Sequence, residues 1–126
     1  MPSTLRRSRF AWVALILGVT ASVGCTKEFR KNRHLKRGDA YYEEKKYKEA
    51  ILEYRNVLRF EKENPRAIAR LGLAHFTQGE LGQAYAFLNK AKVLTPDDTE
   101  VRLRLGSVYL LGRQPEKARE EGQFIL

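Results

Sequence analysis

Cysteine and histidine are nearly absent from this chain, and their scarcity narrows what it can do. Cys25 stands alone, which excludes an intramolecular disulfide and a thiolate metal cluster. His34 and His75 are the only histidines, too few for a dedicated metal site, so no metal and no cofactor is expected. No Ser-His-Asp set or glycine-rich phosphate loop occurs. The adjacent acids Glu43-Glu44 and Glu120-Glu121 point in different directions on a helix surface, so neither makes an acid/base pair. The expectation is a protein that is not an enzyme. Acidic residues are also scarce: 15 stand against 24 Lys and Arg in 126 residues, a formal charge of +9. The length suits one domain.

Long apolar runs are absent too. Phe10 to Val23 is a run of 14 residues without a charge and would span about 21 Å as a helix, short of a roughly 30 Å hydrocarbon core. Arg6, Arg7 and Arg9 precede it with no acid in residues 1–24. That order reads as a secretory signal peptide. The stretch ends Ser22-Val23-Gly24-Cys25 and resembles the lipobox of bacterial lipoproteins, with Ser22 where the family usually has Leu. The resemblance implies cleavage after residue 24 and lipid attachment at Cys25. It also implies a membrane-anchored place in the bacterial envelope facing the periplasm, with Thr26 favouring the outer membrane. The alternative is an uncleaved signal anchor in which Cys25 is incidental.

A basic stretch follows: Lys27, Arg30, Lys31, Arg33, Lys36 and Arg37 against Glu28 alone. It reads as a basic linker over 25–31 leading into the first helix, either solvated or touching anionic headgroups. No aromatic platform accompanies the charges, so no nucleic-acid partner is expected.

From residue 31 onward the chain repeats every 34 residues. Gly38, Gly72 and Gly106 keep that interval, as do Ala50, Ala84 and Ala118, and Tyr41, His75 and Tyr109. Such a period marks a solenoid whose units cannot bury their apolar faces alone. Two helices of about a dozen residues fit each unit, and the spacing predicts helices near 32–45, 48–61, 66–78, 81–94, 99–111 and 115–125. Asn64 before Pro65 is a helix N-cap with proline at the first helical position, and Asp98 takes the same place one period later. Glycine inside a helix costs about 1 kcal/mol. Gly38, Gly72 and Gly106 are therefore expected where a partner helix crosses too closely for a side chain. Glu80, on a turn, is expected to be silent to substitution. The histidines, at aromatic phases, are expected to be packing residues.

These positions resemble the tetratricopeptide repeat. The second unit gives Leu71-Gly72, His75, Ala84, Leu88, Ala91 and Pro96. The first gives Arg37-Gly38, Tyr41, Ala50, Tyr54 and Val57, and the third Leu105-Gly106, Tyr109, Ala118, Gly122 and Ile125. The resemblance implies an all-α, TPR-type α-solenoid of antiparallel helix pairs over 31–126, after a hydrophobic N-terminal helix. Its repeats fall at 31–64, 65–98 and 99–126, the last incomplete.

The family also implies a groove that binds peptides, lined by the first helix of each pair. Its positions fall on Asn32, Leu35, Asp39, Tyr42 and Glu43, then Arg66, Ala69, Leu73, Phe76 and Thr77, then Glu100, Leu103, Ser107, Leu110 and Leu111. The asparagine of the family's carboxylate clamp is replaced by Asp39, Leu73 and Ser107, so that clamp is not expected. Tyr42 and Phe76 are the expected anchors and Arg66 an orienting charge. The overall plan is similar to that of envelope lipoproteins assisting assembly of secretion, pilus or polysaccharide-export complexes. Two alternatives stand beside a lipid-anchored scaffold for a protein or peptide partner. One is a structural solenoid self-associating through its apolar end, Gly122 to Leu126; the other is the N-terminal arm of a longer protein.

Overall fold

In the computed structural model the backbone is described for residues 5–126 and side chains from Gly24 onward. The side chains of the leader expected over 1–24 lie, up to Val23, outside the described residues. Six helices follow in order: α1 (Leu5–Glu43), α2 (Tyr47–Phe60), α3 (Pro65–Thr77), α4 (Leu81–Leu94), α5 (Thr99–Leu111) and α6 (Pro115–Gln123). Among the described residues there is no strand. Nor is any helix among them long and apolar enough to cross a membrane. Each helix packs on the next, and α3 also meets α5, so the pairs stack in one direction.

Five helix starts fall within a residue of the expected positions; the first does not. Residues 25–31, expected as a linker, lie inside α1. No proline interrupts them, and Lys31 joins Glu28 at 2.7 Å one turn back. Lys31 also reaches Glu61 at 2.8 Å, and Arg37 reaches Glu53 at 3.0 Å. Part of the basic stretch is thus neutralised within the fold. The Lys31 ammonium is held above its ordinary range by its bonds to Glu28 and Glu61. The Glu61 carboxyl is held below its own by Lys31 and Asn64.

The first helices α3 and α5 start on side-chain caps. Asn64 Oδ1 accepts from the Ala67 amide at 2.9 Å, and Asp98 Oδ1 from Val101 at 3.1 Å. The second helices start without such caps. They follow tight turns in which the amides of Lys46, Glu80 and Gln114 donate back to the carbonyls of Tyr41, His75 and Tyr109, satisfying orphan acceptors of the preceding helix. These turns need one left-handed residue, and Lys45, Gly79 and Arg113 supply it at the same phase.

The core divides into two clusters that α3 joins. Ala67 and Leu71 pack with Ala50, Tyr54 and Val57. Ile68, Ala69 and Leu73 pack with Leu88, Val101, Leu105 and Val108. The glycine expectation holds at two sites and fails at the third. A β-carbon at Gly38 would lie 2.7 Å from the Tyr54 ring, and at Gly72 2.7 Å from Leu88 Cγ. At Gly106 the nearest atoms, on Ala118 and Glu121, stand 3.7 Å away, because Gly122 occupies the place of Tyr54 and Leu88.

Glu121, expected on a solvated surface, is buried. It accepts from Arg102 Nη1 at 2.9 Å and from Lys92 Nζ at 2.6 Å. Arg102 also donates through Nε to the Pro96 carbonyl at 2.6 Å. One and two periods earlier the same pair of positions holds Ile68 with Phe87 and His34 with Glu53. The outer units thus place polar side chains where the middle unit is apolar.

Candidate functional site

A cleft of about 460 Å³ opens between α3 and α5. Ala69 and Leu73 form its floor, Arg66 and Arg70 project from α3, and Asp98 and Glu100 stand at the start of α5. The Asn64 and Asp98 caps fix where both helices begin, and hence how these first-turn charges face one another.

Asp39 of α1 holds Arg66, with Nη2 to Oδ2 at 2.7 Å. The other oxygen of Asp39 accepts from the Tyr54 hydroxyl at 2.8 Å. Burial, then this bond to Asp39, pushes the Tyr54 phenol far above its ordinary range. Arg70 lies over the Tyr42 ring, 4.6 Å from its centre, and Tyr47 meets the same ring edge-on at 5.3 Å. Burial is the main cause raising the Tyr42 phenol, and the charge of Glu100 adds to it. Arg104 of α5 lies over Phe76 at 5.5 Å. These pairs are one motif used twice, since Tyr42 to Phe76 and Arg70 to Arg104 are both steps of 34. A guanidinium over an aromatic face is attracted by the ring quadrupole while its edge can still donate hydrogen bonds.

The structure separates the expected groove residues. Arg66 lines the cleft, while Tyr42 and Phe76, both half-buried, do not line it, Tyr42 meeting the lining residue Arg70. Ala69 and Leu73 retain 8% and 4% exposure, so they are core residues whose edges floor the cleft. They are covered because α5 lies over them. Leu103, Ser107 and Leu110 do not line the cleft. They line a separate hollow of about 130 Å³ between α5 and α6. Asn32 is exposed on α1 and lines neither. Cys25 is exposed on α1. Sequence reasoning missed Arg70, Arg104 and Asp98 as site residues. The signal was present as an arginine 28 residues after each groove aromatic, twice.

The histidines do pack against aromatics. His34 stacks on Phe60 at 5.9 Å with Nδ1 2.6 Å from Glu53, and His75 stacks on Phe87 at 5.6 Å. His75 is buried, its Nδ1 meets Glu80, and its Nε2 has no hydrogen-bond partner among the described residues. Glu80 therefore carries a structural contact that its turn position did not suggest.

Two tetratricopeptide family models match, one over residues 38–79 and one over 65–98. Comparison with curated proteins gives no match. Among solved structures, the chain is similar to the second tetratricopeptide domain of Spaghetti bound to an HSP90 peptide. The identity is 17% and the TM-score 0.71, covering 79% of this chain and 94% of that one. The Arabidopsis OM64 tetratricopeptide domain shows 17% identity and a TM-score of 0.72, covering 79% and 83%. The TPR2B domain of yeast Sti1, in complex with pHsp70, shows 16% and 0.70, covering 77% and 78%. Residues 38–98 are tetratricopeptide repeats, and the six-helix stack that contains them is a tetratricopeptide solenoid.

Proposed function

We propose that this chain is a non-enzymatic interaction scaffold that holds a peptide segment of a partner protein in the cleft between α3 and α5. The observation that carries the reading is the cleft itself: an apolar floor, Ala69 and Leu73, beside Arg70, which lies over the Tyr42 ring. The floor can take apolar side chains, and the guanidinium edges can donate to backbone carbonyls or carboxylates of an extended chain. Spaghetti and Sti1 are seen with peptides of HSP90 and with pHsp70 respectively; a peptide ligand for this chain is proposed by analogy with them. Cleft charges of both signs, Arg66 and Arg70 with Asp98 and Glu100, favour a segment that is itself of mixed charge.

In the same proposal Cys25 carries the lipid that anchors the scaffold in a bacterial envelope, where it assists assembly of a secretion, pilus or polysaccharide-export complex. Support comes from the arginines at 6, 7 and 9, the uncharged run to Val23 and the Gly24-Cys25 junction. Two or three acyl chains at about 0.8 kcal/mol per buried CH₂ would hold it there.

Selection from a displayed peptide library tests the cleft. The wild-type chain should enrich a common motif whose affinity falls about tenfold or more in Phe76→Ala and Arg70→Ala, the loss expected of anchor residues. Equal affinity in both variants would contradict the reading. Intact mass of the detergent-extracted protein tests the anchor: a chain starting at Cys25 with added acyl mass supports it, and an unmodified chain retaining Met1 refutes it.

A further inference from the structure

The first helix carries more positive charge than the fold uses. Lys31 is tied to Glu28 and Glu61 and Arg37 to Glu53. Arg30, Arg33 and Lys36 are exposed, with no ion pair among the described residues. The sides of α1 differ in what covers them. Lys31, His34 and Gly38 meet α2 through Glu61, Glu53 and Tyr54. Asp39 and Tyr42 meet α3 through Arg66 and Arg70. The face turned away from both helices holds Cys25, Phe29, Arg33 and Lys36, which share one stripe at helical spacing. Cys25 is exposed, and the Phe29 ring stands 67% exposed beside these charges.

We propose that this outward face of α1 lies flat on an anionic bilayer surface, with Phe29 among the headgroups and Arg33 and Lys36 on lipid phosphates. The inference rests on the Cys25 anchor proposed above and adds what an anchor alone leaves open, the orientation of the stack. An acylated Cys25 puts the start of the stripe at the bilayer. Lys36 lies 11 residues further on, about 16 Å along a helix. An upright helix would lift it beyond the roughly 8 Å over which the lipid charge is felt at physiological salt. A flat one keeps Arg33 and Lys36 inside that layer, where anionic headgroups attract each basic side chain. Phe29 suits the same layer, because an aromatic ring flanked by basic residues buries its apolar body while the charges stay wet. Glu43, exposed at the end of α1, closes the stripe. Because α2 and α3 lie on the other side of α1, this pose holds the α3–α5 cleft off the lipid and open to a peptide.

Lysine acylation footprinting, read by mass spectrometry, tests this on the full chain in two kinds of vesicle: phosphatidylcholine alone, or equal parts phosphatidylcholine and phosphatidylglycerol. Both present the same apolar core to the N-terminal segment, so the comparison isolates headgroup charge. Lys90 on α4 and Lys117 on α6, both exposed, serve as references. Relative to them, Lys36 should label about fivefold less on the anionic vesicles than on phosphatidylcholine, and high salt should abolish the difference. Phe29→Ser combined with Arg33→Gln, both at exposed positions, should restore Lys36 labelling, with circular dichroism showing an unchanged fold. Equal labelling of Lys36 on the two vesicles overturns the proposal and leaves the face to an acidic macromolecule. Protection that the double variant retains overturns it as well. The intact mass of the same sample reports acylation separately: an unacylated chain whose Lys36 is still protected would refute the anchor while supporting the face.

Discussion

Gly72 and Gly106 stand one period apart in the same repeat position, yet they meet different surroundings. A β-carbon at Gly72 would press on Leu88 Cγ at 2.7 Å and on the Leu88 amide nitrogen at 3.0 Å, and backbone cannot swing aside. Gly72→Ala should therefore cost about 1–3 kcal/mol through overpacking. Gly106→Ala meets ordinary contact distances and should be neutral or stabilising by up to about 1 kcal/mol, the helix penalty of glycine. Urea unfolding of the two variants checks both; equal costs would show that the α3–α4 and α5–α6 crossings are alike. Glu80 makes a similar point about what sequence hides. As a turn residue it read as silent, but it is the partner of buried His75. Glu80→Ala should cost about 1–2 kcal/mol by leaving an imidazole nitrogen unpaired in the core. An unchanged melting temperature would contradict that.

At the scale of the element, the helix pattern was legible because capping and apolar period agree. Asn64 with Pro65 and Asp98 announced α3 and α5 before any contact was known, and both caps are made. The run of α1 through residues 25–31 was not legible, because its supports at Glu61 and Glu53 lie on another helix. Nor was the burial of Glu121, which depends on Arg102 and Lys92 from two other helices. Breaking this buried cluster with Glu121→Ala should cost about 3–5 kcal/mol. Hydrogen exchange should show α6 losing protection first, since α6 packs chiefly on α5; uniform loss across all helices would refute this placement. The tie between α1 and the end of α2 has a pH signature. The Glu61 carboxyl is lowered, so its contribution is present above about pH 4.3 and fades as pH falls through its folded value. The Lys31 ammonium is raised, so its contribution is present below about pH 10.4 and fades as pH rises through its folded value. In Lys31→Met both effects should shrink, as read from stability against pH.

For the molecule as a whole, the repeat interval conveyed the architecture, and the same interval explains why the site was only half legible. A family position names a phase on a helix, but what covers that phase depends on whether another helix lies beyond it. Ala69 and Leu73 became core because α5 covers them, while Leu103 and Ser107, one period on, are not buried. Arg70 and Arg104 went unnoticed because their role appears only when each lies over an aromatic of the preceding unit. The stack thus leaves a cleft between α3 and α5 and an apolar face at α5 and α6, and the cleft is the part assigned to partner binding. Backbone amide shift mapping tests that assignment most directly, with the library-selected peptide titrated into isotope-labelled protein. The account predicts perturbations concentrated at Asp39 and Tyr42, from Arg66 to Phe76, and from Asp98 to Arg104. Perturbations confined to α2 and α4 would contradict it.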